Sequence, residues 1–252
     1  MQEKNKTVIK SMNLLNLFRT YPTLTLQEMV KQSGMPKTSV HRMINSLEEM
    51  GFLQKRHDGA YELGVVFLEL GQLVSDRLDL RQVAFPIMEA LRNQVEEAVH
   101  LTVRDGDEAI YIEKLDTLHP VRLFTKVGRR APLYAGACQR VILSFLPEQE
   151  QTAYLERVEL IPLADGTITD KLLLKERISE TQQTGVAISH SELENNTTAI
   201  AAPIYDHSGT IVAGISIAGP DIRVTEERLS TLKVTLKNAA KSISKQLGWL
   251  AT

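Results

Sequence analysis

The sequence predicts an α+β chain with an N-terminal winged helix-turn-helix, a linker helix and a larger C-terminal domain of strands and helices. Three observations carry this prediction: three short helical patterns end in an Asp-Gly hairpin, an apolar helix follows, and strands then alternate with helices. A chain of 252 residues with 43% hydrophobic content suits one large domain or two modest ones. We expect a winged-helix domain over 1–64, the linker over 65–78 and the sheet domain over 79–252.

Charge is divided unequally between the two ends of the chain. Residues 1–63 hold nine Lys/Arg and six Asp/Glu, a net charge of +3, whereas the remainder holds 20 and 25, a net charge of −5. The total of −2 argues against a nucleic-acid-binding protein, but the basic N-terminal segment favours one. The division indicates two separate tasks in one chain.

The first two helices have clear sequence boundaries. Apolar residues over 6–20 predict a helix whose inner stripe includes Val8, Met12 and Leu15, and Tyr21-Pro22 ends it. Thr25 and Glu28 have the spacing of a capping box that opens the second helix. Gly34 suits the left-handed residue that closes it.

The third helix begins near Pro36 and has two distinct faces. Its apolar stripe comprises Val40, Met43, Ile44 and Leu47. The opposite face carries Thr38, His41, Arg42 and Asn45, which are the hydrogen-bonding groups that a major-groove helix needs. An ordinary solvated amphipathic helix is the alternative, and the preceding and following elements favour DNA binding.

A hairpin follows over 52–63 and forms the predicted wing. Asp58-Gly59 is typical of a type I′ turn, which would pair His57 with Ala60 and place Lys55 and Arg56 near the tip. A plain surface hairpin is the alternative. The candidate DNA-binding residues of the whole domain are Thr25, Lys37, Thr38, Ser39, His41, Arg42, Asn45, Lys55 and Arg56.

The linker helix over 65–76 is apolar around most of its circumference. A solvated connector would not expose so much apolar surface, so we expect Val66, Phe67, Leu70 and Leu73 to be buried between subunits of at least a homodimer. Two-fold related winged helices would bind double-stranded DNA at a pseudo-palindromic operator.

The C-terminal part reads as a sheet domain, with helices predicted over 79–98, 135–146, 148–158, 169–184 and 225–247. Strands are expected over 100–104, 109–114, 121–125, 187–191, 199–204 and 211–218, and a loop over 128–133.

Several classes of function receive no support from the sequence. The polar start is not a signal peptide, and no apolar run approaches the roughly 20 residues of a membrane span, so we expect a cytoplasmic protein without membrane contact. Cys138 is the only cysteine; Arg140 nearby could lower its pKa, but a small core cysteine is the favoured interpretation. The six histidines form no spaced metal motif, and we expect no metal or cofactor.

Two alternatives to a ligand-responsive DNA-binding protein remain. One is a small-molecule-converting enzyme, which would need a catalytic constellation in 79–252; His190-Ser191-Glu192 is the only fragment worth considering there. The other is a winged-helix module that binds protein and no DNA, against which the polar helix face and basic hairpin argue.

Six segments resemble the IclR family of bacterial transcriptional regulators, in order and spacing: MPKTSVHRMINSLEEMGFL, DGAYELG, VGRRAPLYAGA, AAPIYDHSG, AGISIAGP and AAKSISKQLG. The resemblance covers nearly the whole chain and looks closest to a Bacillus subgroup. It implies a winged helix-turn-helix, a dimerising linker helix and a GAF-like α/β sensor domain that binds a small effector. It also implies a dimer of dimers that represses or activates catabolic genes, with repression expected here.

The same resemblance implies an effector pocket formed by Gly136, Ala137, Cys138, Ser189, Ala199 and Ser216. Family members that sense small oxo-acids have an acid where this chain has Ser189, a cysteine where it has Ala199, and a second serine where it has Ala218. The pocket has lost polar groups, so we expect no pyruvate or glyoxylate but a larger or less polar organic ligand, an acid or sugar derivative beyond three carbons. Arg129 and Arg130 could attract an anion at its mouth, although a solvated surface pair is the favoured interpretation.

Overall fold

A computed structural model describes residues 5–75, 79–123 and 125–250 of the chain. It divides into two compact units, residues 1–77 and 78–252, each with its own hydrophobic core. The predicted combination of an N-terminal helix-turn-helix and a C-terminal α/β domain is confirmed.

The first unit is a three-helix winged fold. Its elements are α1 (Lys6–Asn16, continued by a 3₁₀ turn over Leu17–Arg19), α2 (Leu26–Ser33), α3 (Lys37–Glu49), β1 (Leu53–Lys55), β2 (Tyr61–Leu63) and α4 (Val66–Ser75). Its core is built from Leu14, Leu15, Phe18, Leu24, Met29, Val40, Ile44, Leu47, Leu53 and Tyr61.

Local signals determine the boundaries of α2. The Thr25 hydroxyl accepts from the Glu28 amide, and the Glu28 carboxylate accepts from the Thr25 amide, which is the predicted capping box. Gly34 closes the helix at φ +66°, a conformation that costs glycine nothing. Both predictions are confirmed.

Two details of this unit differ from the sequence prediction. The type I′ turn is wrong: β1 pairs Lys55 with Tyr61, so residues 57–59 form a three-residue loop that ends with Gly59 at φ +82°. The Asp58 carboxylate accepts from the Ala60 amide at 3.1 Å and stabilises this loop.

The buried stripe of α1 also differs. Val8 and Met12 are exposed, whereas Leu14 and Leu15 are buried. The helix carries apolar residues around more than one face, and α2 and α3 cover the face that includes Leu14.

The second unit is an antiparallel sheet between two layers of helices. Its elements are α5 (Leu80–Val95), β3 (Ala98–Asp105), β4 (Glu108–Leu115), β5 (Arg130–Pro132), α6 (Ala137–Ser144), α7 (Glu148–Arg157), α8 (Lys171–Thr184), β6 (Ala187–His190), β7 (Thr197–Tyr205), β8 (Ile211–Pro220) and α9 (Glu226–Gln246). The strand order is β5-β4-β3-β8-β7-β6. Apolar residues of α5 and α9 form one core against the sheet, and those of α6, α7 and α8 form a second.

The strand expected over 121–125 is wrong for the residues described there, which are irregular; residue 124 lies outside the described residues. The expected loop over 128–133 instead contains β5, which pairs Ala131 with Ala109 at the outer edge of β4. The pattern at 121–125 alternates like a strand, but β5 occupies the only free edge of β4.

Candidate nucleic-acid interface and ligand cavity

The third helix presents the predicted polar face to the outside of its unit. Val40, Ile44 and Leu47 are buried in the winged-helix core, so the opposite side of α3 is free. Thr38, His41, Arg42 and Asn45 lie on that side and are all exposed, while Ser39 is half-buried at its border. Lys37 is exposed at the first position of the helix.

The cations of the interface differ in how far they are already neutralised. Arg42 has no carboxylate partner among the residues that the structure describes. Arg56 lies 3.5 Å from both Asp58 and Glu62, each of which partly compensates its charge. The Lys55 ammonium lies 5.8 Å from the centroid of the Tyr61 ring and pairs with no described acid.

Thr25 is the N-terminal cap of α2. Its hydroxyl donates to the Glu28 carboxylate at 2.8 Å and accepts from the Glu28 amide at 3.3 Å. The capping box therefore already fixes the start of α2, where Thr25 would contact a phosphate.

The linker helix α4 is apolar and mostly exposed within the single chain. Leu68, Leu70 and Leu73 are exposed, whereas Phe67 packs edge-on against Phe52 of the same unit, with ring centroids 5.4 Å apart. Phe67, expected between subunits, therefore contributes first to the core of its own chain.

All six expected effector residues line one cavity in the second unit. Gly136, Ala137 and Cys138 come from the start of α6, and Ser189, Ala199 and Ser216 come from β6, β7 and β8. Gly214 lets α6 approach β8, because a Cβ there would lie 2.8 Å from the Cys138 carbonyl oxygen. The free volume is about 40 Å³, room for about three water molecules.

Larger side chains explain why so little space remains. Leu193, Tyr111 and Gln139 line the same cavity, and the Gln139 amide donates to the Tyr111 hydroxyl at 3.0 Å. The larger ligand that the sequence predicted does not fit the space that these side chains leave.

The cavity contains polar groups that the sequence prediction missed. His100 and Thr125 are both buried, and the Nε2 of His100 and the hydroxyl of Thr125 have no partner among the described residues. A buried polar group without a partner costs about 1–3 kcal/mol. The period-two pattern of β3, which puts His100 and Thr102 on one face, could have indicated this wall.

Burial keeps three titratable groups of this cavity, His100, Cys138 and Tyr111, neutral at pH 7. Desolvation lowers the pKa of His100 to about 4 and raises the pKa of Cys138 to about 11. Desolvation likewise raises the pKa of Tyr111 to about 12. The Cys138 sulfur accepts from the Thr102 hydroxyl at 3.0 Å, and its S–H donates to the Gly214 carbonyl at 3.2 Å, so Cys138 is the protonated core thiol that the sequence favoured.

A buried ion pair supports the start of α6. Arg140 and Glu192, 1% and 5% exposed, are joined at 2.5 and 2.7 Å, and Glu192 also accepts from the Gly136 amide at 2.8 Å. Glu192 therefore positions the cavity wall. His190 points elsewhere: its Nδ1 lies 2.9 Å from the Thr198 hydroxyl.

The two arginines at 129 and 130 lie in different places. Arg129 lines the cavity and forms an ion pair with Glu194. Arg130 pairs with Asp105 and Glu108 at the edge of the sheet and does not line the cavity. The favoured interpretation of a solvated pair fits Arg130 and not Arg129.

Two other kinds of site are absent from the described residues. No group of three or more His, Cys, Asp or Glu side chains there could hold a metal ion. None of the helices in the described ranges is long and apolar enough to cross a membrane.

Comparison with known proteins covers both units. Residues 7–57 match the model of the IclR helix-turn-helix domain, and residues 72–245 match that of the bacterial transcriptional regulator IclR C-terminal domain. The HTH-type transcriptional regulator KipR of Bacillus subtilis is 58% identical over 249 residues, which is 99% of this chain and 100% of KipR. The expected resemblance to a Bacillus subgroup of the family is thereby confirmed.

More distant relatives point to the same family. The HTH-type transcriptional regulator KdgR of Escherichia coli is 30% identical over 96% of this chain and 93% of its own. The Thermotoga maritima IclR structure is 31% identical, with a TM-score of 0.66 over 96% of this chain and 99% of its own. An ICLR regulator from Silicibacter, at 22% identity and a TM-score of 0.87 over 98% of each chain, shares the fold. These relatives are transcriptional regulators and not enzymes, and the chain belongs to the IclR family of bacterial transcriptional regulators.

Proposed function

We propose that this protein is a ligand-responsive repressor of metabolic genes that acts in the cytoplasm by binding a pseudo-palindromic operator. The exposed polar face of α3 is the observation that carries the proposal. Thr38, His41, Arg42 and Asn45 extend from a helix whose other face is buried. A helix of this kind fits the major groove, where Arg42 can donate two hydrogen bonds to a guanine. Repression is favoured by relatives such as the E. coli transcriptional repressor IclR.

The wing would supply contacts that do not depend on sequence. Lys55 and Arg56 lie at the hairpin, and Lys37 lies at the start of α3, where backbone amides also favour phosphate. Thr25 would add its neighbouring amides at the start of α2.

An electrophoretic shift with the DNA upstream of the protein's own gene tests this proposal. The wild type should retard that fragment, and the Thr38→Ala, Arg42→Ala double variant should not. Lys245→Gln, a charge removal on an exposed residue of α9, is the matched control and should bind as the wild type does. Wild-type affinity in the double variant would exclude α3 as the reading helix.

The repressor would act as a homodimer, and two dimers would associate into a tetramer. Apolar residues remain exposed on two helices of the first unit: Val8, Ile9 and Met12 of α1, and Leu68, Leu70 and Leu73 of α4. Exposed apolar surface of this extent favours a subunit interface.

Light scattering tests the assembly. The wild type should be dimeric or tetrameric at micromolar concentration, and Leu70→Asp should dissociate it because an interface core does not tolerate a charge. A wild-type monomer would contradict the proposal, as would an unchanged oligomer in Leu70→Asp.

The effector would bind in the cavity at the start of α6. The amides of the first helical turn can receive an acidic group, and His100 and Thr125 provide buried polar atoms without described partners. An organic acid or sugar derivative beyond three carbons exceeds the free volume, so Leu193 or Tyr111 would have to move to admit it.

A thermal-shift screen of organic acids and sugar derivatives tests this site. A compound that stabilises the wild type should lose its effect in Ser216→Phe, whose side chain fills the cavity. Operator affinity without the compound should stay close to that of the wild type, which separates a failed effector site from failed DNA binding. A full shift in Ser216→Phe would place the ligand elsewhere.

A further inference from the structure

A second cleft lies behind the ligand cavity, along the outer edge of β6. It has a volume of about 450 Å³, roughly ten times the free volume of the first cavity. Its walls come from α8 and from the first part of α9, and its charged lining comprises Arg140, Arg177, Glu180, Glu192, Glu226 and Lys233.

The acids of this cleft are mostly neutralised by arginines of the same chain. Glu180 lies 2.7 Å from Arg177, and both oxygens of Glu192 are held by Arg140. Glu226 is 83% exposed, and its one described contact is with His190 at 3.8 Å.

The donors of the cleft, in contrast, are not all satisfied. Arg140 is 1% exposed and uses its two Nη atoms on Glu192 and the Ile188 carbonyl, but its Nε has no partner among the described residues. Lys233 is a half-buried residue, and its ammonium has no acid partner in the described part of the chain. The unmet hydrogen-bonding capacity is therefore that of N–H donors and positive charge.

We infer that this cleft is a second ligand site, which binds a small oxyanion of phosphate size between Lys233 and the Arg140 guanidinium. Arginine and lysine together are the usual partners of an oxyanion. A buried arginine fixed by two other contacts is already oriented, so little side-chain entropy is lost on binding.

The same arginine connects this site with the ligand cavity. Arg140 holds Glu192, and Glu192 holds the Gly136 amide at 2.8 Å. An oxyanion on Arg140 weakens its hold on Glu192 and thereby frees the Gly136 amide at the cavity wall. Two ligands that act on one ion pair influence each other's binding reciprocally.

The experiment titrates the full-length protein with inorganic phosphate by calorimetry, at constant ionic strength adjusted with chloride. Saturable binding is expected in the wild type. Lys233→Gln should weaken it at least tenfold, and Glu226→Gln should strengthen it several-fold because a nearby negative charge is removed. Lys245→Gln, the same change further along α9, should leave it unchanged.

Hydrogen exchange on the same samples tests the connection. Phosphate should accelerate exchange of the Gly136 amide in the wild type and leave it unchanged in Lys233→Gln. Absent or non-saturable phosphate binding, or equal binding in the wild type and Lys233→Gln, would overturn the site. Phosphate binding without altered exchange at Gly136 would overturn the link to the cavity.

Discussion

The polar face of α3 and the cavity in the second unit differ in how the chain assembles them. The face on α3 comes from residues 38–45, and helix periodicity alone brings its side chains together. The cavity draws on β3, β4, α6, β6, β7 and β8, so its lining spans residues 100–218. Substitutions in the polar face of α3 should weaken DNA binding and leave the free energy of unfolding unchanged. Substitutions among the buried groups around the cavity should mainly lower the free energy of unfolding.

The largest effect is expected from Arg140→Met, which leaves Glu192 buried without its cation. Breaking a buried pair of this kind costs about 3–5 kcal/mol in the free energy of unfolding of the second unit. Urea denaturation followed by fluorescence of Trp249, the only tryptophan, measures that unit. Arg177→Met breaks a half-exposed pair and should cost at most about 1 kcal/mol; equal losses would remove the distinction between buried and exposed pairs.

The second effect concerns pH and His100. Its pKa is about 4 in the folded protein and 6.5 in a model peptide, because burial disfavours the charged form. Between these values the unfolded state binds a proton that the folded state does not, so stability falls as pH decreases from 6.5 to 4, by roughly 3 kcal/mol. His100→Asn should remove this part of the pH dependence, measured as the difference between the two urea curves at each pH. Parallel profiles of variant and wild type would show that folding does not lower the pKa of His100.

Arg42→Ala should affect binding and not folding. Loss of a bidentate contact to guanine costs about 1–3 kcal/mol in operator affinity. Discrimination at one base pair should relax, and the urea midpoint should stay unchanged because Arg42 is exposed. Fluorescence anisotropy with operator variants measures both affinity and specificity; a uniform loss across all base substitutions would identify a phosphate contact instead.

Thr25→Ala should lower the stability of the DNA-binding unit, because Thr25 both caps α2 and belongs to the proposed DNA interface. Removing the cap of α2 costs about 1 kcal/mol, and the first unit should unfold earlier while the Trp249 signal of the second stays unchanged. Thr25→Ser retains the hydroxyl and should behave as the wild type. Full stability in Thr25→Ala would indicate that another group satisfies the first amides of α2.

The smallest effect distinguishes two neighbouring cations of the wing. Lys55→Ala should reduce the salt slope of operator binding by about one, since its charge has no acid partner. Arg56→Ala should change the slope less, because Asp58 and Glu62 already compensate that charge. Operator affinities measured between about 50 and 200 mM salt give both slopes. Equal slopes in the two variants would contradict the role of Asp58 and Glu62.

Local sequence determined much of the first unit, where short-range rules apply. The capping box at Thr25, the left-handed Gly34 and the two faces of α3 each depend on residues within one or two helical turns. The family resemblance then named six residues that the structure brings to one cavity.

Only the tertiary structure decided what depends on partners distant in sequence. Strand β5 replaces the expected strand because β4 has one free edge, which admits one partner. His100 is neutral because other elements bury it, and Glu192 is structural because Arg140, 52 residues away, reaches it. Desolvation and ion pairing depend on what surrounds a side chain in space, and a linear pattern of residues does not specify that.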